Sequence, residues 1–289
     1  MSVKPKNSPF TVGTIQKYKN ENRKITALTA YDYSTAKLMD EAGIDLILVG
    51  DSLSMVALGN TTTHPVTVDE MIHHTKAVAR GVERALIVTD MPFMSYQTDM
   101  TTALTNAGRF IQEANAQAVK IEGCSNHILS VVKRCVEAGI PVLAHLGFTP
   151  QFLHTLGGYK IQGKNLEATE QILKQALALQ ESGVFGVVLE MVPEESAKLI
   201  TDKLDIPTIG IGAGRYCSGQ ILVTDDILGK YTDFTPKFAR KYVDLASLTK
   251  NAFNEYKEDV ISGKFPSTNE VFNLNEEELN KLRSIDAEK

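Results

Sequence analysis

Asp51, Asp90, Lys120, Glu122 and Glu190 follow short apolar runs, in LILVGDSLSM, ALIVTDMP, AVKIEG and GVVLEMVP. An ionised carboxylate at the edge of a core is costly unless something pairs with it. If Asp51, Asp90 and Glu122 converge, they repel one another and raise one another's pKa until a cation neutralises them. Oxygen-only donors suit Mg²⁺ or Mn²⁺ better than zinc. The competing reading of each acid is a helix cap or a partner for a surface lysine. Lys120 lies two residues before Glu122, so on a strand both side chains share one face. A lysine there either forms an imine or binds a carboxylate as a point charge. The neighbouring acids disfavour the low pKa an imine needs, which favours carboxylate binding. Glu190 sits among apolar residues, which raise a carboxylic acid's pKa towards that of a useful general base; its competing role is to cap the helix starting near Pro193. His145, in AHLG, either orients a ligand or is a satisfied core histidine. A hard dication beside a cationic carboxylate binder suits a 2-oxo acid, whose enolate the cation stabilises once a base removes the neighbouring C–H proton.

Such groups can meet only if separate strands end in one place. Eight short apolar runs alternate with amphipathic stretches: 25–31, 45–51, 85–92, 118–123, 141–147, 186–193, 207–214 and 221–229. Several are continuously apolar, as parallel strands covered by helices are. Between them, 67–80 carries Met71, Ile72, Thr75, Val78 and Ala79 at helical spacing, with Thr67 and Glu70 forming a capping-box pattern. Residues 125–138 repeat the stripe with Ile128, Leu129, Val132, Cys135 and Val136, and 168–182 ends at Gly183. Further helices are expected at 11–22 and near 236–261. Eight strand–helix units predict a (β/α)8 TIM barrel with an extra N-terminal helix, preferred over an open doubly wound sheet because no GxGxxG follows the first strand. Barrel function collects at the carboxyl ends of the strands, where Asp225 and Asp226 also fall. One catalytic domain over 1–265 and a polar C-terminal tail over 266–289 are expected. The Gly-rich IGIGAGRYCSG follows the seventh run, where barrels often bind phosphate, although close-packing glycines explain it equally well.

The 289 residues carry a net charge of −5, with 43% hydrophobic and 22% charged residues. That balance advertises no basic surface for nucleic acid and no anionic-lipid binder. No apolar run approaches the roughly 20 residues of a membrane helix. MSVKPKNSPF has no apolar core and is not read as a secretory signal. Three cysteines without CxxC spacing fit a reduced, cytoplasmic setting.

Several stretches resemble the ketopantoate hydroxymethyltransferase family: TAYDYSTAKL, LVGDSLSM, PVTVDEM, DMPFMSYQ, VKIEG, HLGFTPQ, LGGYKIQGK, VLEMVP, IGIGAG and GQILVTDDILG, in order from about Thr14 to Pro266. The family is similar to the phosphoenolpyruvate mutase and isocitrate lyase barrels. The resemblance implies transfer of a one-carbon unit from 5,10-methylenetetrahydrofolate to 3-methyl-2-oxobutanoate, giving 2-dehydropantoate for pantothenate synthesis. It implies one Mg²⁺ per subunit on Asp51, Asp90 and Glu122, and 2-oxo acid contacts from Asp51, Ser52, Asp90 and Lys120. Glu190 would be the proton acceptor, and the assembly a homodecamer; His145 is expected to support the site on its strand-end position alone. Ser52 enters by the resemblance alone. The chain departs from the family at Ser54, at His64 and at Asp225, where a histidine is usual. The rival readings are a metal-dependent 2-oxo acid lyase or mutase on the same barrel, whose KxxCG-like loop is missing, and a non-catalytic oligomeric barrel.

Overall fold

The computed structural model describes residues 8–286. In chain order the elements are α1 (Val12–Asn20), β1 (Ile25–Thr29), α2 (Tyr33–Glu41), β2 (Leu46–Val49), α3 (Leu53–Val56), α4 (Val68–Gly81), β3 (Leu86–Asp90), α5 (Met100–Ala114), β4 (Ala118–Glu122) and α6 (Asn126–Glu137). There follow β5 (Val142–Gly147), α7 (Leu153–Leu156), α8 (Leu166–Glu181), β6 (Gly186–Glu190), α9 (Glu194–Lys203), β7 (Thr208–Ile211), β8 (Gly219–Leu222), α10 (Thr224–Leu228), α11 (Leu245–Ser262) and α12 (Glu276–Asp286). All eight strands run parallel, each beside its neighbour in sequence, and β8 closes onto β1. This is the (β/α)8 barrel that the alternating runs predict.

Strand periodicity of two divides the apolar residues into two cores. Ala27, Leu46, Leu48, Leu86, Val88, Ala118, Leu143, Val188, Ile209 and Ile221 pack inside the barrel. Their alternates, including Ile47, Val49, Ile87, Val119, Ile121, Val142, Ala144, Val187 and Leu189, pack outwards against the helices. Each fully buried Val, Leu or Ile contributes about 1.5–3 kcal/mol. Phe10, just before α1, and Ile15, on it, join the inner core, so the extra N-terminal helix packs against the barrel interior.

Helix boundaries follow the local chemistry. Thr67 caps α4 and exchanges hydrogen bonds with Glu70, and Met71, Ile72, Thr75 and Val78 are its buried stripe. Asp99, Ser125 and Asn165 cap α5, α6 and α8 through their side chains. Two elements differ from expectation. The eighth strand is Gly219–Leu222, earlier than 221–229, and Asp225 and Asp226 lie in α10 above it. The expected helix near 236–261 starts only at Leu245, after an irregular stretch over 236–244, and no residue of α11 is buried. The polar tail contains α12. Among the described residues no helix is long and apolar enough to cross a membrane.

Candidate active site

The inner parity continues into the mouth. After Leu86 and Val88 comes Asp90; after Ala118 come Lys120 and Glu122; after Leu143 comes His145; after Val188 comes Glu190. All five line one cavity of about 1130 Å³ with Asp51, Ser52, Phe148 and Tyr159. Register sets their order, pairing Asp90 with Lys120, Glu122 with His145, and Gly147 with Glu190. Asp51 arrives differently. It lies beyond β2, in the turn leading to α3, and its backbone N–H donates to Asp90 Oδ2 at 2.9 Å. Ser52 Oγ lies 2.9 Å from the Tyr31 hydroxyl.

Charge is unbalanced here. Lys120 Nζ donates to Asp90 Oδ1 at 2.6 Å and lies 3.8 Å from Glu122 Oε1, so the ammonium stands between two of the three acids. Burial pulls the Lys120 pKa down, but the fields of Asp90, Glu122 and Asp51 outweigh it and hold the ammonium above its ordinary range. A lysine so held is a point charge, unsuited to imine formation. Asp51 is pushed well above the usual carboxylate range by burial, then by Asp90 and Glu122. Burial, offset in part by Lys120 and reinforced by Asp90, lifts Glu122 to about 7. Glu122 Oε1 is buried without a hydrogen-bond partner.

His145 bridges the acids of β4 and β6. Nδ1 is 3.3 Å from Glu122 Oε1 and Nε2 is 3.3 Å from Glu190 Oε2, neither aligned as a hydrogen bond. Burial, then Lys120, lowers its pKa, so the ring favours the neutral form with one N–H to offer. Burial raises Glu190, against the opposing pull of His145. Its side chain, 15% exposed, is the most open of these acids. Met191, next in sequence, has φ +50, a left-handed turn directly after Glu190, and itself lines the cavity.

A divalent ion fits the chemistry of this donor set. Four carboxylates face one ammonium and a histidine that favours neutrality, and one carboxylate oxygen is orphaned. Mg²⁺ generally takes one or two carboxylates and fills its remaining positions with water and substrate oxygens. Among the described residues no three or more His, Cys, Asp or Glu side chains are grouped to share an ion. Lys120 explains the spacing, since its ammonium sits where Asp90 and Glu122 would otherwise close in.

The Gly-rich turn after β7 is already filled. Glu194, at the start of α9, accepts from the backbone N–H of Arg215 at 2.9 Å and from its Nε at 3.1 Å. A Cβ on Gly214 would stand 2.5 Å from Glu194 Cβ, so the glycine admits this carboxylate. Asp225 carries an ion pair with Lys230 Nζ at 3.2 Å, and Asp226 lines the cavity. Gln151 and Tyr96, both buried against the acids, had no marker in the sequence beyond membership of HLGFTPQ and DMPFMSYQ.

Residues 9–268 match the family model described as ketopantoate hydroxymethyltransferase. The chain belongs to the ketopantoate hydroxymethyltransferase family. It is 52% identical over 272 residues to the 3-methyl-2-oxobutanoate hydroxymethyltransferase of Clostridium novyi (strain NT), covering 94% of this chain and 98% of that one. The protein of the same name from Thermoanaerobacter sp. (strain X514) is 53% identical over 265 residues, 92% of this chain and 96% of its own. Among solved structures, phosphonopyruvate hydrolase in complex with oxalate and Mg²⁺ superposes with a TM-score of 0.62 at 12% identity, over 96% of this chain and 98% of the other. A 2,3-dimethylmalate lyase of the PEP mutase/isocitrate lyase superfamily gives 0.56 at 13% identity, over 96% and 98%. At these identities the likeness is one of fold.

Proposed function

We propose that the chain is a 3-methyl-2-oxobutanoate hydroxymethyltransferase, a transferase that adds a hydroxymethyl group to C3 of the 2-oxo acid. The observation that carries this reading is the meeting of Asp51, Asp90, Lys120, Glu122 and Glu190 around one cavity in a chain half identical to enzymes of that name. The donor is 5,10-methylenetetrahydrofolate and the product 2-dehydropantoate. A cavity of about 1130 Å³ exceeds what a five-carbon acid occupies and leaves space for a second substrate above it. The reading extends to one domain over 1–265 with a tail over 266–289, to a cytoplasmic setting and to a homodecamer. Exposed Phe253, Tyr256, Val260 and Ile261 along α11 support association with further copies.

Lys120 holds the substrate carboxylate by charge, with Asp51, Ser52 and Asp90 around the 2-oxo group. Glu190, its pKa raised by burial, takes the C3 proton. The resulting enolate carbon forms the new bond to the one-carbon unit. Transfer consumes one water, which becomes the product hydroxyl, and returns tetrahydrofolate. Asp51, Asp90 and Glu122 would hold Mg²⁺. When bound, that ion supplies Lewis-acid stabilisation of charge on the keto oxygen. His145 keeps Glu190 apart from Glu122 and supports its orientation.

Deuterium exchange at C3 of 3-methyl-2-oxobutanoate, with Mg²⁺ and without folate, tests the proton step by NMR. Exchange lost in Glu190→Gln and kept in Asp225→Asn supports the assignment. Undiminished exchange in Glu190→Gln removes Glu190 as the base.

A further inference from the structure

The 3₁₀ turn Pro150–Phe152, just beyond β5, carries Gln151, 3% exposed. Its carboxamide is fully used. Oε1 accepts from the Tyr96 hydroxyl at 2.8 Å and from Gln97 Nε2 at 3.0 Å. Nε2 donates to Asp51 Oδ2 and to the Met91 carbonyl, both at 2.9 Å. Two lone pairs and two hydrogens are the whole capacity of a primary amide. Reversing the group would set its NH₂ against two donors and its oxygen against a carboxylate and a carbonyl. Its orientation is therefore determined by its surroundings.

The backbone acts on a second acid. Gln151 N–H donates to Glu122 Oε2 at 3.1 Å. Tyr96, whose hydroxyl orients the amide, accepts from Glu122 N–H at 3.1 Å. His64 Nε2 lies 3.0 Å from the Gln151 carbonyl. One residue thus ties together the carboxyl ends of β2, β3 and β4 from the turn that follows β5. In each acid it engages a single oxygen. Asp51 Oδ2 is held while Oδ1 is left to the cavity, and Glu122 Oε2 is held while Oε1 is the buried atom without a partner.

We infer that Gln151 is a positioning residue, which holds Asp51 and Glu122 each by one oxygen and so leaves Asp51 Oδ1 to the cavity and turns Glu122 Oε1 towards His145 and Lys120. This rests on the proposed reading of those acids as the ones that serve a divalent ion and the 2-oxo acid. Glutamine is suited to this because it donates to a carboxylate without adding charge. A glutamate here would confront Asp51 with a like charge, and a lysine would compete with Lys120.

The test compares full-length wild type with Gln151→Met, which keeps side-chain length and removes the amide, and with Tyr96→Phe, which removes one of the two donors to Oε1 together with the acceptor of the Glu122 N–H. Mn²⁺ affinity is read by electron paramagnetic resonance without substrate, and the kcat and KM of C3 exchange are read separately. Groups that orient metal-binding side chains typically affect metal affinity by roughly 10- to 100-fold. We expect a loss in that range for Gln151→Met, a smaller loss for Tyr96→Phe, and a raised KM for the 2-oxo acid in both. A purely structural amide would lower the melting temperature and leave Mn²⁺ affinity and KM unmoved, which overturns the inference. Should Gln151→Met fail to fold, Gln97→Leu, which removes the other donor to Oε1 and touches neither acid, decides by the same two readouts. Wild type that binds no Mn²⁺ refutes the ion reading itself, an outcome distinct from variants that bind as well as wild type does.

Discussion

Replacing Gly147 by alanine tests whether Glu190 owes its position to a tight strand-end contact. Gly147 ends β5 with φ +89, and an added Cβ would stand 2.2 Å from the Glu190 carbonyl oxygen and 2.8 Å from Val192 Cγ2. The carbonyl cannot rotate away cheaply, because it accepts from Phe148 N–H at 2.8 Å. Restoring an ordinary carbon–oxygen contact requires the two strand ends to separate by about 1 Å. A misplacement of that size costs on the order of 10²-fold in rate when the displaced group is catalytic. The backbone term adds about 1–2 kcal/mol for a left-handed residue bearing a Cβ, and overpacking adds about 1–3 kcal/mol. The variant should therefore lose about 2–5 kcal/mol of stability. Its kcat for C3 exchange should fall about 100-fold while KM for the 2-oxo acid changes little, since Lys120 and Asp90 lie on other strands. Denaturant melts and exchange kinetics on one preparation give both numbers. Gly108→Ala, where a Cβ meets nothing within 4 Å in the middle of α5, is the control; it should gain up to about 1 kcal/mol with no change in rate. Wild-type kcat in a folded Gly147→Ala protein would refute the reasoning.

Two further perturbations probe charge. Lys120→Met leaves Asp90 buried without its cation, so we expect a loss of about 3–5 kcal/mol and a KM for the 2-oxo acid raised at least about 10-fold by the lost carboxylate contact; an unchanged KM with intact kcat rules out the lysine as carboxylate binder. Burial, then Asp225, raises the Asp226 pKa from an ordinary 3.8 to about 6. The folded state therefore keeps a proton that the unfolded chain gives up between these values, and stability falls as pH rises through that window. The shift corresponds to at most about 3 kcal/mol, and we expect about 1–2 kcal/mol after solvent screening. Asp226→Asn should recover this at pH 8 and nothing below pH 4, by thermal melts across pH; equal gains at both ends would show another cause.

The acids were legible in the sequence because a barrel strand writes its interior as alternate residues. Val88 fixes the face of Asp90, and Ala118 that of Lys120 and Glu122, once 86–90 and 118–122 are recognised as strands. Asp51 lies past its strand, and only the turn into α3 reveals that its N–H reaches Asp90. The sequence pattern places β8 too late because Gly219 and Gln220 lack strand character while ILVT has it; the run spans the strand's end and the start of α10. Gln151 leaves no trace beyond its stretch HLGFTPQ, because a glutamine in a short turn has no periodicity and its six partners are distant in sequence. The interposed ammonium was also hidden. Shared parity puts Lys120 and Glu122 on one face, but which acid holds the lysine is set by the β3–β4 register.

Glu194 carries a consequence for selectivity. At the rim where many barrels grip the phosphoryl group of a substrate, this chain supplies its own carboxylate to the Arg215 amide. A doubly charged oxyanion entering there would have to evict Glu194 and then face its charge. A phosphoryl group meeting this rim would therefore find its backbone donor already taken by a carboxylate.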